Sequence, residues 1–297
     1  MKKKILIIGA NGFVGKNLKE FLSEEKNIYE IYAPSTKEFD VSDDWRVKDI
    51  LTENYYDVII HAAVYNPRVD IMKDTSKELD KNLRMFFNFE RYQDLYGKMI
   101  YFGSGAEFDK RGDIIMVDEN NIGNGIPNTD YGFYKYIINK SIINSKNIYN
   151  FRIFGLYGKY EDWRKTFISG ACCKALKNLP ITIRQNVLFD YLYVEDFCKI
   201  IKWFIDHKIK YKSYNISSGK RIDLLTIANI VKNVSCKDIP IYVCKEEFGN
   251  EYSANNNRIL KEMSEFNFTS VKDAINDLYN WYKNHEKDID IYPLLYQ

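Results

Sequence analysis

Residues 5–15 read Ile5-Leu6-Ile7-Ile8-Gly9-Ala10-Asn11-Gly12-Phe13-Val14-Gly15, an unbroken apolar run that passes straight into a glycine-spaced turn. A run without polar alternation is what a parallel strand covered on both faces requires. Beyond the turn, Val14, Leu18 and Leu22 recur at helical spacing, which predicts a helix over Val14 to Ser23. Strand, glycine turn and helix form the context in which Gly9-x-x-Gly12-x-x-Gly15 can hold a dinucleotide. The glycines allow a tight turn, close backbone approach to a pyrophosphate at the helix N-terminus, and close packing of helix on strand. This spacing differs from the commoner G-x-G-x-x-G, and a strand-to-helix turn alone carries no chemistry, so a second signal is needed. Tyr131-Gly-Phe-Tyr-Lys135 supplies it. A tyrosine four residues before a lysine shares its helix face, so the ammonium can lower the phenol from its ordinary pKa of about 10 and make it a usable proton carrier. The two signals together point to redox chemistry on a nucleotide cofactor.

Further buried strands are expected at Ile28 to Ala33, Val58 to Ala62, Met99 to Phe102, Phe151 to Gly155 and Tyr214 to Ser217, with helical stretches between most of them. Strands alternating with helices indicate an α/β fold with a doubly wound parallel sheet of the Rossmann type. With no fixed-period repeat and no low-complexity linker, a smaller C-terminal α/β substrate lobe must grow from late insertions. The expected division is residues 1–159 and 189–218 for the cofactor domain and 160–188 and 219–297 for the substrate lobe. Lys+Arg 43 against Asp+Glu 41 leaves a formal charge of +2, too balanced to favour a nucleic-acid or acidic-membrane partner. Met-Lys-Lys-Lys precedes too short an apolar stretch for a signal peptide, so it reads as the lead-in to a first strand, and a cytoplasmic protein is expected. Cys172, Cys173, Cys198, Cys236 and Cys244 lack metal-ligand spacing and read as reduced packing residues, with no metal site.

A fold that holds NAD usually places an acid about 20 residues past the glycines, against the ribose hydroxyls. Here the second strand ends Tyr32-Ala33-Pro34-Ser35-Thr36-Lys37 with no acid. Ser35, Thr36 and Lys37 can instead donate to a 2′-phosphate, so NADP(H) is the expected cofactor.

With these residues in place, the chain resembles the extended short-chain dehydrogenase/reductases, the NAD(P)-dependent nucleotide-sugar epimerases, dehydratases and reductases. The resemblance runs through Gly9 to Gly15, His61-Ala62-Ala63, Asn82-Leu83, Ser104, Tyr131/Lys135, Arg152 to Gly158, Asp190 to Asp196 and Tyr214 to Gly219. It implies a cofactor site of Gly9, Asn11, Gly12, Phe13, Val14, Gly15, Ser35, Thr36, Lys37, Ala62, Ala63, Asn82, Tyr131, Lys135 and Phe154, with Asp40 and Val41 at the turn that meets the adenine edge. It implies Ser104, Tyr131 and Lys135 as catalytic residues. Ser104 and Tyr131 would hold the carbonyl oxygen where charge develops, and Lys135 would fix the nicotinamide ribose. Ser104, Gly105, Ala106 and Gly155 would line the sugar, and a homodimer through two helices per subunit is implied.

The departures narrow the reaction. Dehydratases of the family carry Thr-Asp-Glu where this chain has Ser104-Gly105-Ala106. Glu107 lies one residue further on and, along a strand, would point to the opposite face. The branch typified by GDP-fucose synthase epimerises with a Cys/His pair before reducing C4. Its cysteine position holds Ala106, and no histidine occurs between Gly158 and Cys173. What remains is reduction of a C4 ketone on a nucleotide-activated sugar, a GDP-linked deoxyhexose or heptose being favoured, in the synthesis of surface polysaccharide. A 4-epimerase with tightly bound NAD is the alternative; a non-catalytic NADP-binding regulator would have no use for Ser104, Tyr131 and Lys135 together. His61 reads as a packed imidazole, while Asp190 and Asp196 read as braces for a helix beginning near Val194. Phe189 stands where relatives use an arginine on the diphosphate, which makes Arg184 and Arg258 the candidates for that grip.

Overall fold

The computed structural model describes residues 2–67 and 72–296. In chain order its strands are β1 (Lys3–Ile8), β2 (Tyr29–Tyr32), β3 (Val58–His61), β4 (Lys98–Ser104), β5 (Ile114–Val117), β6 (Ile148–Ile153), β7 (Gly155–Tyr157), β8 (Ile181–Ile183), β9 (Leu188–Tyr193), β10 (Ser213–Ile216), β11 (Arg221–Asp223), β12 (Ile241–Val243) and β13 (Tyr252–Ala254). Its helices are α1 (Phe13–Ser23), α2 (Asp44–Glu53), α3 (Glu78–Glu90), α4 (Asp130–Ile142), α5 (Phe167–Leu176), α6 (Val194–Asp206), α7 (Leu224–Ser235), α8 (Asn257–Glu262), α9 (Val271–Asn284) and α10 (Ile291–Leu295). They fall into two compact units, one of residues 1–111, 119–153 and 198–215, the other of residues 112–118, 154–197 and 216–297.

The first unit is built on a six-stranded sheet in the order β10-β6-β4-β3-β1-β2. The β1·β2, β1·β3, β3·β4 and β4·β6 pairs are all parallel. Burial explains the apolar runs: Ile5 to Ile8 and Val58 to His61 are buried throughout. Alternate residues Leu6, Ile8, Ile59, Met99 and Tyr101 pack with Val47 and Leu51 of α2, Phe86 and Phe89 of α3, and Ile138 and Ile142 of α4. Their neighbours Ile5, Ile7, Ile60 and Ile100, equally buried, face the other layer of the doubly wound sheet. From β1 the chain steps to β2 on one side and then to β3 on the other. That reversal opens a crevice beyond the carboxyl ends of β1 and β3, the place where such sheets receive ligands.

The second unit holds a mixed sheet, β11-β9-β13-β5 with β7 also on β9, and a two-stranded β12-β8 ribbon. β11 runs antiparallel to β9, whereas β13 is parallel to both β9 and β5. Its core joins Ile168, Cys172 and Cys173 of α5, Ile227 and Val231 of α7, Ile275 and Leu278 of α9, and Ile181 and Ile183 of β8.

The expected strands are present with ends moved by a few residues, and the run expected from Phe151 to Gly155 divides at Phe154 into β6 and β7. Helix α6 does begin at Val194 and Asp196 braces it, but Asp190 serves another element. Asp190 accepts the Ser218 and Gly219 backbone N–H groups at 2.8 and 2.9 Å, bracing the turn after β10. Asp196 accepts the Thr269 N–H at 2.7 Å and its hydroxyl at 2.9 Å, tying α6 to the segment before α9. Cys172, Cys173 and Cys198 are buried packing residues, while Cys236 and Cys244 are exposed, and all five are free thiols. Among the described residues no helix is long and apolar enough to cross a membrane.

Candidate active site

The glycine turn closes β1 as the sequence requires. Gly9 sits at φ +82, and a Cβ there would lie 2.5 Å from the Ala63 nitrogen. A Cβ on Gly15 would meet the Gly9 carbonyl oxygen at 2.3 Å, which is how α1 comes down onto the strand end. Ala62 donates its N–H to the Ile8 carbonyl at 2.9 Å, so Gly9, Ala62 and Ala63 meet at the sheet's switch point. The N-cap of α1 is Gly12, which offers no side-chain cap to the first helical N–H groups. Phe13 and Val14 follow in the first turn, beside Asn11, which is exposed. An uncapped N-terminus of an eleven-residue helix at the crevice fits a pyrophosphate. Asn82, on α3, is buried and spends its amide on the backbone of Tyr65 and Glu78, with bonds of 2.7 to 3.0 Å. It orders the loop after Ala63.

The turn after β2 departs from the sequence reading. Thr36 and Lys37 are exposed, but Glu38 folds back so that its carboxylate accepts the Ser35 N–H at 2.7 Å. That bond holds the Glu38 carboxyl below its ordinary range. The turn therefore carries an acid that spacing alone did not place there. Asp40 accepts from both N–H and hydroxyl of Ser42, while Val41 is buried and its carbonyl receives the Asn88 amide at 3.1 Å.

Ser104 ends β4 and starts a 3-10 turn over Gly105–Glu107. Its hydroxyl oxygen accepts the Ala106 N–H at 3.1 Å, and Glu107 returns the favour by accepting the Ser104 N–H at 3.1 Å. This is a capping box, written in the sequence as Ser-x-x-Glu. The turn is why Glu107 does not follow strand alternation. It is wholly buried, paired with Arg152 at 2.8 Å, and held by the Asn150 amide. Ala106 is buried as well.

Thr129 caps α4 by accepting the Gly132 N–H at 3.2 Å. A Cβ on Gly132 would stand 2.6 Å from the Ala106 carbonyl oxygen, so the helix that carries Tyr131 and Lys135 starts in backbone contact with the Ser104 turn. Lys135 is buried and donates to the Phe102 carbonyl at 2.5 Å. Its ammonium lies 4.5 Å from the Tyr101 ring centre, 5.4 Å from that of Tyr134 and 5.9 Å from that of Tyr131. Burial pulls its pKa down to about 7, and the Glu107 charge acts the other way. The buried ammonium thus gives up its proton more readily than that of a free lysine. His61 is buried against Phe89 and Tyr101, and burial with the nearby Lys135 lowers it to about 4, so it is neutral and packed.

In the second unit, Phe154 is buried with its ring 4.9 Å from Tyr252, and Gly155 pairs with Tyr191 across β7 and β9. Arg184 is exposed just past β8, and Arg258 is half-buried in α8. Neither lines the cleft of about 260 Å³ beside the start of α5, whose walls include Arg164, Lys165, Thr166, Gly170, Lys174 and Thr182. Those basic residues were missed from sequence because no motif or spacing marks Arg164, Lys165 and Lys174 out from other charges.

Residues 5–217 match the model of the NAD dependent epimerase/dehydratase family. No curated protein matches the sequence. Among solved structures, a GDP-L-fucose synthetase from Naegleria fowleri bound to NADP is similar at a TM-score of 0.82 and 16% identity, covering 97% of this chain and 96% of that one. MlghC, a GDP-mannoheptose C4 reductase from Campylobacter jejuni with NADP bound, gives a TM-score of 0.76 at 17% identity over 95% and 98% of the two chains. An ADP-L-glycero-D-manno-heptose-6-epimerase from Helicobacter pylori gives 0.79 at 18% identity over 97% of each. At such identities the likeness is one of fold, and it extends over nearly the whole length. The glycine turn at the switch point and the Ser104, Tyr131 and Lys135 set lie within the matched residues, and the chain belongs to the NAD dependent epimerase/dehydratase family.

Proposed function

We propose that this chain is an NADPH-dependent reductase of the C4 keto group of a nucleotide-activated sugar. The observation that carries the reading is the composition of the Ser104 turn. It brings the turn that Ser104 caps against the start of the Tyr131/Lys135 helix, and it carries Gly105 and Ala106 where elimination or epimerisation would need an acid or a thiol. NADPH, when bound, would supply the hydride. Gly9, Asn11, Gly12 and Gly15 with the first turn of α1 would hold its pyrophosphate, and Ser35, Thr36 and Lys37 its 2′-phosphate. Because the Ser104 oxygen already accepts the Ala106 N–H, its own hydrogen is suited to donate to a substrate carbonyl oxygen. Tyr131 would deliver the proton, and Lys135 would replace it. The basic cleft at the start of α5, where Thr166 makes no side-chain cap bond, suits the diphosphate. Similarity in fold to a GDP-L-fucose synthetase and a GDP-mannoheptose C4 reductase supports a GDP-linked deoxyhexose or heptose. A cytoplasmic homodimer serving surface-polysaccharide synthesis completes the reading.

Glu38 favours a second reading, a 4-epimerase with tightly bound NAD, since a carboxylate at the end of β2 repels a 2′-phosphate. One experiment separates them: NADPH and NADH oxidation against GDP-, CDP-, dTDP- and UDP-linked 4-keto sugars, run in deuterated water. Reduction with NADPH preferred and no deuterium at C3 or C5 is expected. Enzyme-dependent deuterium there, or redox-neutral inversion at C4 when the corresponding 4-hydroxy nucleotide sugars are offered with NAD, would overturn the reductase.

A further inference from the structure

A buried ion pair is a poor device for stability, because the cost of removing both charges from water offsets their attraction, and apolar side chains of equal volume do as well or better. Glu107 and Arg152 form such a pair with both side chains wholly buried. The pair is also a built site. Gly103 leaves the space for it, since a Cβ there would lie 2.1 Å from Glu107 Oε1 and 2.2 Å from Asn150 Oδ1. Asn150 Nδ2 donates to both carboxylate oxygens, at 3.1 and 3.0 Å. Arg152 is secured in turn by Asn215 at 3.0 Å and Asn139 at 3.3 Å. One acceptor of this carboxylate is turned toward the candidate catalytic residues, on the Ser104 N–H.

We infer that Glu107 is a positioning residue of the reductase site, its buried carboxylate fixing Ser104 through the backbone N–H and setting a negative charge in the turn against which the Lys135 helix starts. The inference rests on the proposed reaction for its catalytic meaning, though not for its geometry. The groups that face Lys135 are His61 from β3, Tyr101 from β4, Tyr131 and Tyr134 from its own helix, and Glu107 from the turn. His61 is neutral, and Glu107 is the charge that opposes the burial of the lysine. Arg152 faces Glu107 from β6, and Asn150 and Asn139 fill the remaining side with neutral amides.

Two substitutions split the roles. Glu107→Gln keeps an acceptor for Ser104 and removes the charge, whereas Glu107→Asp keeps the charge and withdraws the acceptor from Ser104. Lys135 is followed by NMR in protein labelled at the lysine Cε, its signal identified by loss in Lys135→Met, with neither substrate nor cofactor present. Expected are a threefold or greater rise in the Lys135 acid dissociation constant in Glu107→Gln, a matching shift of the alkaline limb of kcat to lower pH, and kcat reduced with KM kept in Glu107→Asp. If Glu107→Gln does not fold with a lone buried cation, Glu107→Gln combined with Arg152→Gln removes both charges and is read in the same way. A Lys135 titration unmoved in the folded variants, with kcat as in the unaltered enzyme, would overturn the role of Glu107. Failure to reduce any keto sugar would overturn the reductase instead, and the NMR titration would still judge Glu107.

Discussion

On the proposed mechanism, Lys135 would couple stability and activity to pH in opposite directions. Burial brings its pKa to about 7 in the folded chain, from 10.5 as a free side chain. Between those values the unfolded chain holds a proton that the folded chain has lost, so this residue makes stability rise with pH across that window, and its burial penalty is felt in full below about 7. Turnover should run the other way, falling as pH rises through about 7 and the ammonium that serves Tyr131 disappears. Denaturant melts at pH 6 to 10 should therefore show the Lys135 contribution growing where kcat declines, and Lys135→Met should flatten that part of the stability profile. In the same assays Tyr131→Phe should lower kcat by roughly a hundred- to ten-thousandfold, the range of a lost general acid, with NADPH binding kept. A Tyr131→Phe variant with near-normal turnover would place the proton elsewhere.

Elements show where sequence is a sufficient guide. β1, its turn and α1 were legible in full because apolar run, glycine spacing and helical period are all local. Gly15→Ala tests that unit: the new methyl would stand 2.3 Å from the Gly9 carbonyl oxygen, so strand and helix must part. The expected cost is about 1–3 kcal/mol in denaturant melts, with NADPH affinity reduced at least tenfold; full affinity would mean that the helix terminus is not the pyrophosphate seat. The Ser104 turn was half legible. Ser104 was singled out by the family resemblance, and it does end β4, but Glu107 was read on a strand, although Ser-x-x-Glu was present as a capping signal. Its partner Arg152 comes from β6, 45 positions away, and no local pattern reports such a pairing. Glu38 was passed over for the same kind of reason: a side chain reaching back three residues to a turn N–H is a matter of conformation. Asp190 was assigned to the helix that follows it, and its true partners, the N–H groups of Ser218 and Gly219, lie beyond β10 with Gly219 at φ +71.

At the scale of the whole molecule, Leu278 belongs to the core of the second unit, 1% exposed among α5, α7 and α9. Leu278→Ala should cost about 2–5 kcal/mol in denaturant melts, the range for a buried leucine. Most residues proposed for the cofactor belong to the first unit, so calorimetric titration of this variant with NADPH should give an affinity close to that of the unaltered chain. A large loss would tie the cofactor to the second core. The partition of the chain also bears on biosynthesis. The first unit needs residues 198–215, which leave the ribosome after residues 154–197 of the second, and the second needs residues 112–118, which emerge before β6 of the first. During translation β6 thus waits as an open sheet edge until β10 is made, paired with β4 on one side only. A gene cut near codon 153 would yield two fragments, each lacking a strand that the other half encodes, and only co-expression of both could restore the sheets.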